Sequence, residues 1–191
     1  MPSLSLVRPV HRAVEALPPE LENALAGLRT HLAVYPAVLV AYSGGVDSAL
    51  VAAIAAEQLG DRALAVTGVS PALAPHLLDE ARLQAHWMGI RHREIPTAEL
   101  EDPAYSSNPA DRCYACKREL HGLLALVARE TLAPGAPPPQ VLDGVNRDDL
   151  GDHRPGIQAA RELERQGYDV TVLNSLPKFY DWNAISLSWI F

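Results

Sequence analysis

The segment Ser43-Gly44-Gly45-Val46-Asp47-Ser48 combines residue types that suit the binding of phosphate. Gly44 and Gly45 have no Cβ, so the backbone can bend sharply and direct its N–H groups at a ligand. Ser43 and Ser48 add hydroxyl groups that can donate further hydrogen bonds. These residues predict an anion-binding turn.

The elements on either side support this interpretation. An apolar run over residues 37–41 predicts a buried strand, and residues 49–59 predict a helix that Gly60 caps. The turn therefore lies at a helix N-terminus, where the helix dipole favours negative charge. Neither GxxxxGK[ST] nor GxGxxG follows the strand, so the two commoner nucleotide motifs are excluded. The alternative is a tight turn whose serines only cap the helix.

Cys113 and Cys116 are three residues apart in a segment that predicts a helix with Asn108 as its N-cap. Both share the apolar face of that helix, so their thiols are expected to face inward near its N-terminus. The helix dipole there favours the thiolate, the form that attacks electrophiles and binds metals. The alternative is two small core residues. Two thiols alone do not complete a zinc or iron–sulfur site.

A strand predicted over residues 141–144 leads into a charged loop over residues 145–156. Carboxylate and amide oxygens suit magnesium, and a guanidinium can grip phosphate or carboxylate. An EF-hand is excluded, because its ligand spacing and final Glu are missing. An alternative interpretation of this loop, a polar turn whose aspartates cap the next helix, also stays open. The polar groups available for these contacts are four aspartates, an asparagine and two arginines: Asp143, Asn146, Arg147, Asp148, Asp149, Asp152 and Arg154.

Further predicted elements position these segments. Strands are predicted over residues 63–69, 91–95 and 168–173, and helices over residues 73–88 and from the Pro18-Pro19 pair onward. Alternating strands and helices predict an α/β fold with an open parallel sheet and helices on both faces. Ligands bind beyond the carboxyl ends of the strands in such sheets, where both candidate loops lie.

Composition narrows the function classes. The 191 residues allow one domain with a core, and a net charge of −7 gives no general attraction to nucleic acid, so no nucleic acid partner is expected. No apolar run approaches the ~20 residues that cross a bilayer. Since the first residues show no export signal either, we expect a cytoplasmic protein without membrane contact.

Three motifs in order resemble a known family: SGGVDS, NPADRCYACK and VLDGVNRDDLGDHRPGIQAARE. The first is similar to the PP-loop of the N-type ATP pyrophosphatases, which have a Rossmann-like, adenine nucleotide alpha hydrolase-like fold. The combination resembles LarE, the ATP-dependent sacrificial sulfur transferases, over residues 38–162. The resemblance implies adenylation of a carboxylate of pyridinium-3,5-dicarboxylate mononucleotide with release of pyrophosphate. Sulfur insertion then contributes to the nickel-pincer cofactor.

The resemblance also implies roles for single residues. Asp47 would lie close to Mg²⁺ and phosphate, and ATP would be bound through Ser43, Gly44, Gly45, Val46, Asp47 and Ser48. Asp143, Asn146, Asp149, Asp152 and Arg154 would line the substrate and magnesium side. Cys113 and Cys116 would hold a [4Fe-4S] cluster together with a third, later cysteine.

The sequence departs from the family pattern because it contains no third cysteine and loses the resemblance after Glu162. We therefore expect an N-terminal segment (1–36), a PP-loop ATP-binding domain (37–162) and a divergent tail (163–191), a truncated arrangement relative to the family. Because members of the family carry an oligomerisation domain, the resemblance leaves open whether this protein forms a homo-oligomer. Two alternatives stay open: another PP-loop ligase, such as an amide-forming synthetase or a tRNA thiolase, and a non-catalytic ATP-binding fragment.

Overall fold

The structure is a computed structural model, and it describes residues 17–98, 112–130, 136–146, 165 and 170–175. For residues 112–118, 145, 146 and 170–175 only the backbone is described. The predicted start of the cysteine-bearing helix at Asn108 lies outside these ranges.

Five parallel strands form one sheet in the order β3-β2-β1-β4-β5, which confirms the predicted α/β fold. β1 lies at the centre, and all four of its residues are buried. A short apolar strand that is buried on both faces is typical of a parallel sheet. The strands are β1 (Val38–Ala41), β2 (Ala63–Val69), β3 (Arg91–Pro96), β4 (Gln140–Asn146) and β5 (Val170–Ser175).

Helices cover both faces of the sheet. α1 (Pro19–Ala33), α2 (Val46–Leu59) and α3 (Pro75–Met88) pack over one face, and α4 (Arg112–Glu130) packs over the other. Side chains alternate between the faces of a strand, so Val40 contacts the first group of helices and Leu39 contacts α4. A 3-10 turn (Gly60–Arg62) joins α2 to β2. In the described part of the chain, no helix is long and apolar enough to cross a membrane.

The predicted boundaries agree with the structure to within a few residues, with two informative differences. α2 begins at Val46 rather than at residue 49, so the end of the SGGVDS motif forms the first turn of the helix. β4 continues to Asn146, although its last two residues were assigned to the charged loop. Val145 pairs with Asn174 and Asn146 pairs with Ser175, so pairing with β5 extends the strand beyond its apolar part.

Candidate functional site

The loop after β1 is an exposed bend at the centre of the sheet. The Tyr42 N–H donates to the Val66 carbonyl over 2.9 Å, which continues the sheet one residue beyond β1. The chain then turns at Gly44, whose φ of 77° is left-handed. Ser43, Gly45 and Val46 are exposed, so the bend is accessible to a ligand.

The two serines of the motif hold this bend in shape. Ser48 is buried, and its hydroxyl donates to the Gly45 carbonyl over 2.9 Å and lies 3.2 Å from the Ser43 hydroxyl. The Ser43 N–H donates to Ser48 Oγ, and the Gly45 N–H donates to Ser43 Oγ, both over 3.3 Å. These hydrogen bonds close the loop on itself, so its shape does not depend on a ligand.

The first turn of α2 gives this loop its electrostatic character. Gly45 is the N-cap residue, and no side chain among the described residues caps the helix. The first N–H groups of a helix have no partner within it and carry the positive end of the helix dipole. An anion beside Gly45 and Val46 would therefore be stabilised. Asp47, partly exposed, lies in the same turn.

α3 supports the loop from one side. A Cβ on Gly44 would lie 3.1 Å from the Ala81 Cβ, so loop and helix are in close contact. The buried Tyr42 hydroxyl lies 3.3 Å from the Ala81 carbonyl and 3.1 Å from Gln84 Oε1. Burial raises the pKa of Tyr42 to about 12, so the hydroxyl keeps its single proton, which the two acceptors share.

Thr67 and His92 fix the backbone immediately before the loop. Thr67 Oγ1 lies 2.7 Å from the Tyr42 carbonyl and 2.7 Å from His92 Nε2. A hydroxyl has one proton, and the carbonyl can only accept, so His92 Nε2 donates to Thr67. Burial lowers the pKa of His92, which favours the neutral ring in this arrangement.

β4 brings the third sequence motif against the first. A Cβ on Gly144 would lie 2.8 Å from each of three backbone atoms, the Asp47 carbonyl carbon and oxygen and the Ser48 nitrogen. A side chain cannot be accommodated at that distance, so only glycine allows β4 to approach the first turn of α2 in this way. β1 and β4 are adjacent, and the chain leaves them toward opposite edges of the sheet. Ligands bind in open α/β sheets at such a switch point.

Asp143 points to the opposite face of the sheet from this contact. Its side chain is buried, and its Oδ2 lies 3.4 Å from Nε2 of His121, a residue of α4 that is wholly buried. Sequence reasoning missed His121. The available signal was its position three residues before Leu124 on the apolar face of the helix, where a polar side chain is unusual.

The other candidate residues are described in part or not at all. Asn146 is the last residue of β4, and Cys113 and Cys116 lie near the described start of α4, with only their backbone described. Asp149, Asp152 and Arg154 lie outside the described residues. Within the described ranges, no group of three His, Cys, Asp or Glu residues is placed to hold a metal ion.

Curated proteins include relatives of this chain. An uncharacterised Synechocystis sp. protein, slr1717, is 51% identical over 142 residues, which cover 74% of this chain and 51% of the relative. Pyridinium-3,5-bisthiocarboxylic acid mononucleotide synthase from Lactiplantibacillus plantarum is 32% identical over 159 residues, which cover 78% of this chain and 56% of that enzyme. The chain spans about half the length of these curated relatives. No family model matches the chain.

Solved structures share the fold. Glutamine-dependent NAD+ synthetase from Acinetobacter baumannii, in complex with ADP, superposes with a TM-score of 0.57 at 23% identity, over 73% of this chain and 29% of that chain. NH3-dependent NAD synthetase from Campylobacter jejuni gives a TM-score of 0.56 at 16% identity, over 68% and 58% of the two chains. These similarities place the chain in the same α/β fold as the PP-loop synthetases.

Proposed function

Since the chain belongs to the LarE family of PP-loop proteins, we propose that it uses ATP to adenylate a carboxylate of pyridinium-3,5-dicarboxylate mononucleotide. Its relationship to LarE and its fold, shared with PP-loop synthetases, support an ATP-using enzyme. Residues 37–162 would form the ATP-binding domain. In the proposed second step, a sulfur nucleophile attacks the carbonyl carbon of the acyl-adenylate, and the bond from that carbon to the AMP oxygen breaks so that AMP leaves.

One observation carries the first step of this proposal. The SGGVDS loop is an exposed, internally hydrogen-bonded bend at a helix N-terminus, and Gly144 packs against the first turn of that helix. A bend that is already held in shape can bind phosphate oxygens without reorganisation, which is how fixed donors stabilise developing charge.

The chemistry follows from where charge develops. A carboxylate oxygen of the substrate attacks the α-phosphorus of ATP, the bond from that phosphorus to the bridging oxygen breaks, and pyrophosphate leaves with the electron pair. The products are an acyl-adenylate and pyrophosphate. Ser43, Gly44, Gly45, Val46 and Ser48 would line the site of the departing pyrophosphate near the positive end of α2. The Ser43 and Gly45 N–H groups and the Ser48 hydroxyl, which hydrogen-bond within the loop, would maintain its shape.

Magnesium fits the donor chemistry at this edge of the sheet. The partly exposed Asp47 provides a carboxylate beside the loop, an oxygen ligand of the kind that Mg²⁺ prefers. A bound Mg²⁺ would neutralise charge on the phosphates. Asn146, Asp149, Asp152 and Arg154 are proposed to complete the substrate and magnesium side. Asp143, whose side chain is buried near His121, is proposed to contribute indirectly.

An iron–sulfur cluster does not fit the residues of this sequence alone. The sequence has two cysteines, Cys113 and Cys116, and a three-thiolate site needs one more. No step of the proposed reaction therefore involves a cluster. We propose both cysteines as candidates for the sulfur-transfer step, because a thiolate is the nucleophilic form of sulfur.

The test is an assay of the purified protein with ATP, magnesium and the pyridinium substrate. We expect pyrophosphate to form, followed by an equal amount of AMP as water hydrolyses the acyl-adenylate. Asp47→Ala should abolish both products while the circular dichroism spectrum is retained. Asp61→Ala, at an exposed position in the 3-10 turn, is the matched control and should leave the rate unchanged. Unchanged pyrophosphate release by Asp47→Ala would contradict the role assigned to Asp47.

The same assay separates the alternatives. An amide product formed when ammonia is added would identify an amide-forming ligase, and sulfur transferred to RNA would identify a tRNA thiolase. ATP binding without any turnover would identify a non-catalytic fragment. Each result would replace the proposed function.

A further inference from the structure

The side chain of His121 is buried without a hydrogen bond. Its exposed fraction is 0%, and neither ring nitrogen has a hydrogen-bond partner within the described part of the chain. A buried polar group without such a partner is costly, and replacing it with an apolar side chain would remove that cost. The presence of histidine here therefore calls for a role other than packing.

The position of Asp143 indicates that role. Its Oδ2 lies 3.4 Å from His121 Nε2, slightly beyond the usual hydrogen-bond range but within reach of a charge–dipole interaction. Asp143 directly precedes Gly144, which lies on the other face of β4 against the Asp47–Ser48 peptide. The end of β4 is thus held from both faces, by His121 on α4 and by the first turn of α2.

We propose that His121 is a positioning residue for the SGGVDS loop (residues 43–48). Its Nε2 fixes the position of Asp143, and this keeps Gly144 in contact with the first turn of α2. This inference rests on the proposed function, because it assigns the α2 turn to phosphate binding. His121 does not touch the ligand. It acts through Asp143 and Gly144.

The arrangement explains why an imidazole is useful at this position. The ring is rigid and reaches from the backbone of α4 to the sheet, so it fixes the separation between helix and strand as well as providing a donor. Glutamine can place an amide nitrogen near the position of Nε2, whereas the shorter asparagine places its amide nitrogen near the position of Nδ1. The two amides therefore differ in reach and share their chemistry.

The experiment compares His121→Gln, His121→Asn and His121→Leu in the full chain. The dissociation constant of Mg-ATP is measured by calorimetry, and the amide resonances of Gly144 and Ser48 are recorded by NMR without ligand. We expect His121→Gln to remain close to the wild type in both measurements. His121→Asn and His121→Leu should weaken ATP binding about tenfold, because Asp143 loses its polar contact with Nε2, and should shift both resonances.

A double-mutant cycle with Asp143→Asn provides the second measurement. If His121 acts through Asp143, the effect of His121→Leu on ATP affinity should largely disappear in the Asp143→Asn background. Equal effects of the glutamine and asparagine variants, or fully additive effects in the cycle, would overturn the positioning role. If the wild type binds no ATP, the proposed function fails, and the Gly144 and Ser48 resonances still decide the inference. If His121→Leu does not fold, the glutamine and asparagine pair decides it.

Discussion

Gly144 lies in close contact with the peptide that joins Asp47 to Ser48, so that a Cβ on Gly144 would be 2.8 Å from the Asp47 carbonyl oxygen. These positions are far apart in the sequence and belong to two different motifs. Their contact joins the end of β4 to the first turn of α2. A phosphate bound at that turn would therefore depend on the position of β4.

We predict that Gly144→Ala weakens ATP binding and destabilises the protein by about 1–3 kcal/mol, because the new methyl group overpacks a backbone contact. Urea unfolding measures the stability, and calorimetry measures the binding. Gly122→Ala is the matched control, since a Cβ there meets nothing within 4 Å. Within a helix that change should stabilise by about 0.5–1 kcal/mol. Equal responses of the two variants would contradict the steric argument.

Gly44→Ala should weaken ATP binding through both strain and contact. The φ of 77° at Gly44 is unfavourable for alanine, and the new Cβ would lie 3.1 Å from the Ala81 Cβ. Gly89→Ala is the control, because Gly89 also has a left-handed φ, of 69°, but open space around it. We expect a similar cost of about 1 kcal/mol from strain in both variants, and lost ATP affinity in Gly44→Ala alone. Unimpaired ATP binding by Gly44→Ala would show that the loop is not part of the ATP-binding site.

The stability of the protein should fall on acidification through a contribution from His92. Burial lowers the pKa of His92 below its usual 6.5, so the unfolded chain binds the proton more readily than the folded protein does. The free energy of unfolding should therefore decrease as the pH falls below about 6.5. The contribution of His92 to this decrease is complete once the pH lies below the pKa of His92 in the folded protein. His92→Gln, which keeps a donor for Thr67, should flatten that part of the curve of unfolding free energy against pH. An unchanged slope would exclude His92 as its source.

Tyr42→Phe should destabilise the protein by about 1 kcal/mol, because the buried Ala81 carbonyl and Gln84 amide oxygen lose a donor. Thermal unfolding at pH 7.5 measures the change. Tyr35→Phe removes a hydroxyl from an exposed contact with His31 and should change stability by less than about 0.5 kcal/mol. If both variants behave alike, the hydrogen bonds from Tyr42 to α3 contribute little.

Local sequence patterns were sufficient for the elements that carry strong periodicity. β2 was predicted with the boundaries that the structure shows, because apolar and small residues fill it between Arg62 and the Ser70-Pro71 pair. β4 was predicted to end too early, since Asn146 is polar and only its pairing with Ser175 keeps it in the strand. Pairing with a distant segment is not visible in local composition.

The site was predictable as a motif and not as a set of contacts. The SGGVDS spacing indicates the turn, because glycine and serine types suit it. The hydrogen bonds between Ser43 and Ser48, the contact of Gly144 with α2 and the buried side chain of His121 arise from how the elements pack. No periodicity reveals which faces meet across a sheet. The roles of the predicted site residues, including those outside the described ranges, remain predictions.

The placement of β4 next to β1 has a consequence for biosynthesis. The central strand emerges early from the ribosome, but its neighbour on one side is made only after β2, α3, β3 and α4 have been translated. Contacts between such distant segments form slowly, because a long loop must close first. The nascent chain therefore cannot complete the contact between Gly144 and the first turn of α2 until β4 has been translated, so a ligand of that turn could assist only the late steps of folding.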